Sequence, residues 1–142
     1  LLGDLRNAVS ELREYTQTNF KDEVTSLLKN VPGLTIALEM NEALVIEDAQ
    51  VTETLLRCIQ EALTNTLRHA GASTCNIRVY IRDLQCVLEI QDDGTCPERI
   101  EAGNGLTGMK ERIEAQAGSL VWQNASGSFL LRARLPLSGI NA

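Results

Sequence analysis

The sequence predicts an α+β fold: a two-layer α/β sandwich in which helices cover one face of a mixed, mostly antiparallel sheet, with a helical segment ahead of it. Two observations predict this. Segments of period-two alternation meet across short turns, as hairpins do, while helical runs with apolar faces stand apart from them. The size is right for one core, because 142 residues with 44% hydrophobic and 23% charged content suit a single compact domain.

Leu2, Leu5, Val9 and Leu12 recur at helical spacing from the first residues. The chain starts without Met and already reads as mid-helix, so we expect a piece of a longer protein. A second helical run spans Phe20 to Lys29 and stops near Val31-Pro32-Gly33. Leu34–Met40 reads as a strand, followed by a short one at Ala43–Ile46. Val51–Ala70 is the first core helix, with Asp48 or Thr52 near its cap, and Gly71-Ala72-Ser73 breaks it. Thr74–Ile81 alternates with period two and turns at Arg82-Asp83 into a partner strand, Gln85–Gln91. Gly105–Ala117 is a helix with Leu106, Met109, Ile113 and Ala117 on one face, stopped by Gly118. A final hairpin, Ser119–Asn124 with Ser128–Leu135, turns around Ala125-Ser126-Gly127, and Pro136 ends the sheet.

Charge and composition exclude several functions. A net charge of −6 argues against non-specific nucleic-acid binding, which needs a basic patch. No apolar run approaches the roughly 20 residues of a membrane span, so neither membrane contact nor a signal peptide is expected of these residues. Cys58, Cys75, Cys86 and Cys96 show no paired spacing and, with a single histidine, make a poor zinc site. The first three fall within helix or strand patterns and read as small buried hydrophobes in a reducing, cytoplasmic compartment.

Chemistry concentrates in the first core helix. Glu61, Asn65 and Arg68 lie at i, i+4 and i+7 and share a face, with His69 beside them. Leu55, Ile59, Ala62, Leu63 and Thr66 are then free to face a core. Carboxylate and amide oxygens suit Mg²⁺, and a guanidinium suits phosphate. The same stripe could be only a solvated helix face. Downstream, Glu89-Ile-Gln-Asp92-Asp93-Gly94 ends a buried strand in an acidic turn, where a carboxylate can accept from an exocyclic amine such as that of adenine. Then Gly103-Asn104-Gly105-Leu106-Thr107-Gly108-Met109-Lys110-Glu111-Arg112 forms a Gly-rich loop opening a helix, whose N-terminus suits phosphates. It is neither a P-loop, since no Lys-Ser/Thr follows the glycines, nor a Rossmann fingerprint.

These motifs, in this order and spacing, resemble the N, G1 and G2 boxes of the GHKL ATPase superfamily, whose domains share the Bergerat ATP-binding fold. Gln60-Glu61-Ala62-Leu63-Thr64-Asn65, Arg68-His69-Ala70 and the Gly-Met-Lys-Glu-Arg ending look more narrowly like bacterial sensor histidine kinases that partner NarL-type response regulators, among them nitrate sensors and DesK-type kinases. The resemblance runs from about residue 34 to 137. It implies a helical segment, 1–32, leading from a dimerisation domain with the phosphoacceptor histidine, and a catalytic domain, 33–142, that binds ATP with Mg²⁺. Asn65 would give an oxygen to the metal. Glu61 would hold a metal-bound water or polarise the acceptor. Arg68 would meet the triphosphate, and His69 the ribose or phosphates unless it simply packs. Asp92, rather than Asp93, would read the adenine amine, with Gly94 letting the base approach. Gly103, Gly105, Leu106, Thr107 and Gly108 would shape the lid and the phosphate-facing helix start. The lid, Thr95–Ala102, is short, and Cys96 stands where the family commonly has a second glycine.

The only histidine is His69, inside the motif, so the chain carries no phosphoacceptor of that type. The resemblance implies an ATP-dependent protein-histidine kinase domain, monomeric in isolation, acting on a histidine elsewhere for relay to a response regulator. The alternative is a regulatory pseudo-kinase module that binds nucleotide without efficient transfer.

Overall fold

The computed structural model describes residues 20–29, 31, 33–41, 44, 46, 48–68, 72–94, 104–125 and 127–137. The expected first helix, the lid, Cys96, His69 and Gly103 lie outside these residues. The described elements are α1 (Phe20–Leu28), β1 (Thr35–Met40), α2 (Ala49–Arg68), β2 (Thr74–Arg82), β3 (Gln85–Asp92), α3 (Asn104–Ala115), β4 (Ser119–Ala125) and β5 (Ser128–Pro136). The strands form one sheet in the order β1-β2-β3-β5-β4. β1 runs parallel to β2, with α2 in the connection, and the other pairs are antiparallel. Among the described residues no helix is long and apolar enough to cross a membrane.

Alternation sorts the sheet into two faces. Cys75, Ile77 and Val79 of β2, Leu88 and Ile90 of β3, and Leu131, Ala133 and Leu135 of β5 are buried under the helices. They meet Leu55, Ile59, Ala62 and Leu63 of α2 and Leu106, Met109 and Ile113 of α3 in one core, to which Phe20 and Val24 tie α1. The open face carries a cross-strand row set by register: Glu39 opposite Arg78, Arg78 opposite Glu89, and Glu89 opposite Arg132. Arg78 lies 3.0 Å from Glu39 and 3.6 Å from Glu89, and Arg132 lies 2.8 Å from Glu89. Burial pushes the Glu89 carboxyl up, but hydrogen bonds from Arg132 and Tyr80 and the two guanidinium charges outweigh it and hold it below the ordinary range.

Caps explain where the helices begin and end. Asp48 is the N-cap of α2: its Oδ1 accepts from the Gln50 N–H at 2.9 Å and the Val51 N–H at 3.3 Å. The Thr52 N–H reaches the Asp48 carbonyl at 3.0 Å, closing the first turn. The end of α3 departs from expectation. The helix stops at Ala115, and Ala117 adopts φ +63° and is exposed instead of extending the apolar face. The Ala117 N–H bonds to the Glu114 carbonyl and the Gly118 N–H to the Ile113 carbonyl, both at 3.0 Å, which is the Schellman pattern with alanine in the left-handed position. A second correction concerns the short strand expected at 43–46. Leu44 and Ile46 are not in a strand, and Ile46 is buried in the core instead.

The β2–β3 turn has Asp83 at φ 52° and Leu84 at φ 62°, both left-handed, as a two-residue type I′ hairpin requires. Leucine is poorly suited to this conformation, and Leu84 is half exposed. Leu84→Gly is therefore expected to stabilise the domain by roughly 0.5–1 kcal/mol, since the relieved strain exceeds the added chain entropy. Urea unfolding checks this, and an unchanged or lower midpoint would refute the turn assignment.

Candidate nucleotide site

One helix reaches both of the downstream motifs. Thr66 on α2 donates its hydroxyl to Asp92 Oδ2 at 3.0 Å, in a buried contact with the end of β3. Five residues earlier on the same helix, the Glu61 carboxylate lies against Gly105 at the start of α3, so close that a Cβ on Gly105 would occupy the same space. Glycine at 105 is therefore needed for the approach itself, and the carboxylate takes up the favourable position at a helix N-terminus. Asn65 stands between these contacts. It is half-buried, and its Nδ2 is buried without a hydrogen-bond partner among the described residues. An orphaned buried amide costs about 1–3 kcal/mol. Its oxygen and nitrogen exchange by a half-turn of the side chain, so the same position can present an oxygen.

The acidic turn resolves into two distinct functions. Asp92 is the last residue of β3, opposite Cys75, and only 5% exposed. Its Oδ1 accepts from the Gly94 N–H at 3.1 Å. Asp93 points the other way. Its Oδ1 accepts from the Ser73 and Thr74 N–H groups, both at 2.8 Å, and its Oδ2 accepts from the Ser73 hydroxyl at 2.8 Å. It pins the entry to β2.

Those bonds, the Thr74 N–H first and then the Ser73 groups, hold the Asp93 carboxyl well below its ordinary 3.8. A depressed carboxylate contributes stability above its unfolded value and loses it as the pH falls through the folded one. Asp93→Asn should thus lower stability at neutral pH, and the gap to the parent chain should close as the pH falls below 3.8. Urea unfolding across that range tests it; a gap independent of pH would show that the charge plays no part.

The remaining expected residues are distributed unevenly. Leu106 is buried at 4%, so its side chain belongs to the core and only its backbone is free to serve a ligand. Thr107 and Gly108 are exposed, and a Cβ on Gly108 would meet nothing within 4 Å. Gly94 is buried, and a Cβ there would sit 3.0 Å from that of Ala72. Arg68 is the last residue of α2, while His69 and Gly103 lie outside the described residues. A groove of about 660 Å³ runs beside Glu61 along Leu27, Gln60, Thr64, Leu67 and Met109. Another, of about 500 Å³, lies by Glu39, Arg78 and Tyr80 and includes none of the candidate residues.

Two features escaped the sequence reading. Thr66 looked like a core residue, and it is buried, but its hydroxyl serves Asp92. Cys75 backs the same carboxylate, and burial, with the Asp92 and Asp93 charges, pushes its thiol up to about 12. Cys58 and Cys86 are likewise buried and pushed up to about 12, as expected of inert core thiols.

No protein-family model matches the sequence. The histidine-protein kinase/phosphatase UhpB of Salmonella typhimurium is 34% identical over 128 residues, covering 84% of this chain and 24% of that protein. The sensor histidine kinase DesK of Bacillus subtilis is 29% identical over 137 residues, covering 93% of this chain and 36% of that protein. The chain belongs to the sensor histidine kinase family. Its fold agrees: the histidine kinase domain of a blue-light activated kinase from Erythrobacter litoralis superposes with a TM-score of 0.64 at 16% identity, covering 82% of this chain and 57% of that one. The mixed five-stranded sheet and its helices are thus the GHKL α/β sandwich of sensor histidine kinase catalytic domains. The chain spans about a quarter of the length of UhpB and about a third of DesK.

Proposed function

We propose that this chain is the ATP-binding catalytic domain of its kinase, holding Mg-ATP between α2, the Asp92–Gly94 turn and the start of α3. The observation that carries the reading is that one helix touches both motifs, Asp92 through Thr66 and Gly105 through Glu61, five residues apart, with the buried unpartnered amide of Asn65 between them in sequence. Among the described residues no cluster of three or more His, Cys, Asp or Glu could enclose a metal alone. That suits Mg²⁺, which takes one or two protein oxygens and completes its shell with waters and phosphate. Asn65 and Glu61 would hold it. When bound, it neutralises charge on the transferring phosphoryl group.

In this reading Asp92 accepts from the adenine amine and Gly94 admits the base. The N–H groups around Gly105 and Gly108, and Thr107, face the phosphates, and Arg68, His69 and Gly103 are proposed as further nucleotide-binding residues from the motifs alone. The γ-phosphoryl group passes to a histidine on a dimerisation domain outside this chain, reached through residues 1–32, and then to a response regulator of NarL type. Such a domain works in the cytoplasm.

Calorimetric titration with ATP, with and without Mg²⁺, tests the proposal. Binding strengthened by Mg²⁺ is expected. A folded chain that binds ATP under neither condition would overturn it.

A further inference from the structure

Among the described residues, two donors are turned toward Asp92. The Thr66 hydroxyl donates to Oδ2 at 3.0 Å and the Gly94 N–H to Oδ1 at 3.1 Å. Neither donor is free to turn outward. Thr66 is 1% exposed on the core face of α2. Gly94 is buried, and a Cβ on it would stand only 3.0 Å from that of Ala72, so the chain packs closely where its N–H meets Asp92. A carboxylate oxygen has two lone pairs, so each still has one with which to accept. Toward a ligand, the described residues of this corner therefore offer the acceptors of Asp92 and withhold these two donors.

We propose that Thr66 is a positioning residue that makes the corner select a base bearing an exocyclic amino group over one bearing a carbonyl in the same place, an adenine rather than a guanine nucleotide. The inference rests on the nucleotide reading above. An amino N–H finds a waiting acceptor in Asp92. A carbonyl oxygen there would face a carboxylate oxygen, with the two nearest donors already committed to that carboxylate. The unmet polar group and the oxygen–oxygen repulsion both count against it. Without the Thr66 hydroxyl, Oδ2 loses its anchor, the carboxylate can rotate about its side chain, and among the described residues the Gly94 N–H alone is left holding it.

Calorimetry with Mg-ATP and Mg-GTP on the parent chain, Thr66→Val, Thr66→Ala and Thr66→Ser tests this, with urea unfolding as the control on folding. The parent chain should prefer ATP. Thr66→Val and Thr66→Ala should each bind ATP about tenfold more weakly and GTP little changed, narrowing the preference. Thr66→Ser keeps the hydroxyl and should recover ATP affinity to within about threefold of the parent chain. The preference ratio and the serine rescue separate positioning from mere packing, which would alter both nucleotides alike. If the parent chain binds ATP and the valine and alanine variants keep its affinity and preference, the role of Thr66 falls while the nucleotide reading stands. A folded serine variant that fails to recover ATP binding overturns it equally. If the parent chain binds neither nucleotide, both fall together.

Discussion

Asp92→Asn should bind ATP about 100-fold more weakly than the parent chain while remaining folded. The substitution preserves shape but replaces one acceptor oxygen with a donor NH₂. In the native chain both oxygens are occupied from the protein side, by Thr66 and by Gly94, at a position only 5% exposed. An amide there must set its NH₂ either in place of Oδ1, against the Gly94 N–H, or in place of Oδ2, at the Thr66 hydroxyl. In the first case a buried donor pair repels; in the second the oxygen beside Thr66 is no longer there to accept from an adenine amine. A charge-assisted hydrogen bond is worth about 1.5–3 kcal/mol, and its loss with a donor clash accounts for the factor of about 100. Calorimetry of the variant against Mg-ATP, beside a far-ultraviolet spectrum and an unfolding curve, makes the check. Affinity within a few-fold of the parent chain would remove Asp92 from the site.

The second large effect falls on stability. Gly118→Ala should destabilise the domain by about 3 kcal/mol. A Cβ at this position would run into the carbonyl oxygen of Arg134 and stand 3.0 Å from Ile113 Cγ2 and 3.1 Å from Leu135 Cδ2. The first obstacle is backbone in β5, so no side-chain rotation relieves it. The neighbouring position behaves oppositely. Ala117 already carries the left-handed φ of +63°, and Ala117→Gly should gain about 1 kcal/mol. Exchanging the two residues keeps composition constant and should still lose stability, because close approach at 118 outweighs strain at 117. Urea unfolding of the two single variants and the exchange decides it. A swapped chain as stable as the parent would mean that α3 and β5 are not in contact as described.

This pair also shows what the sequence made legible and what it did not. Gly118 looked like a helix stop, and the helix does end shortly before it, at Ala115, but the left-handed residue is its alanine neighbour. The reason is a carbonyl 16 positions away in the chain, and no local pattern carries that. The core face of α2 was readable because Leu55, Ile59, Ala62 and Leu63 repeat at helical period, and all are buried. The β2–β3 hairpin was readable because its alternation and turn are local. The parallel pairing of β1 with β2 was not, since it depends on a crossover through α2. At the site, motif order was enough to bring Glu61, Asn65, Asp92 and Gly105 forward as candidates. Thr66 stayed hidden because a threonine on an apolar face resembles a small hydrophobe until its partner, 26 residues on, is in view.

The thiol behind Asp92 makes the corner a clock. Cys75 is fully buried, opposite Asp92 in the β2–β3 register, and its thiol is pushed up to about 12. Only a chain whose strand ends have parted can expose it to an alkylating reagent. In a chain with Cys96→Ser, the rate of slow labelling at Cys75 would count those openings directly. Anything seated on Asp92 should lengthen the interval between them. Occupancy of the corner could then be timed without a labelled nucleotide and without any phosphoryl transfer.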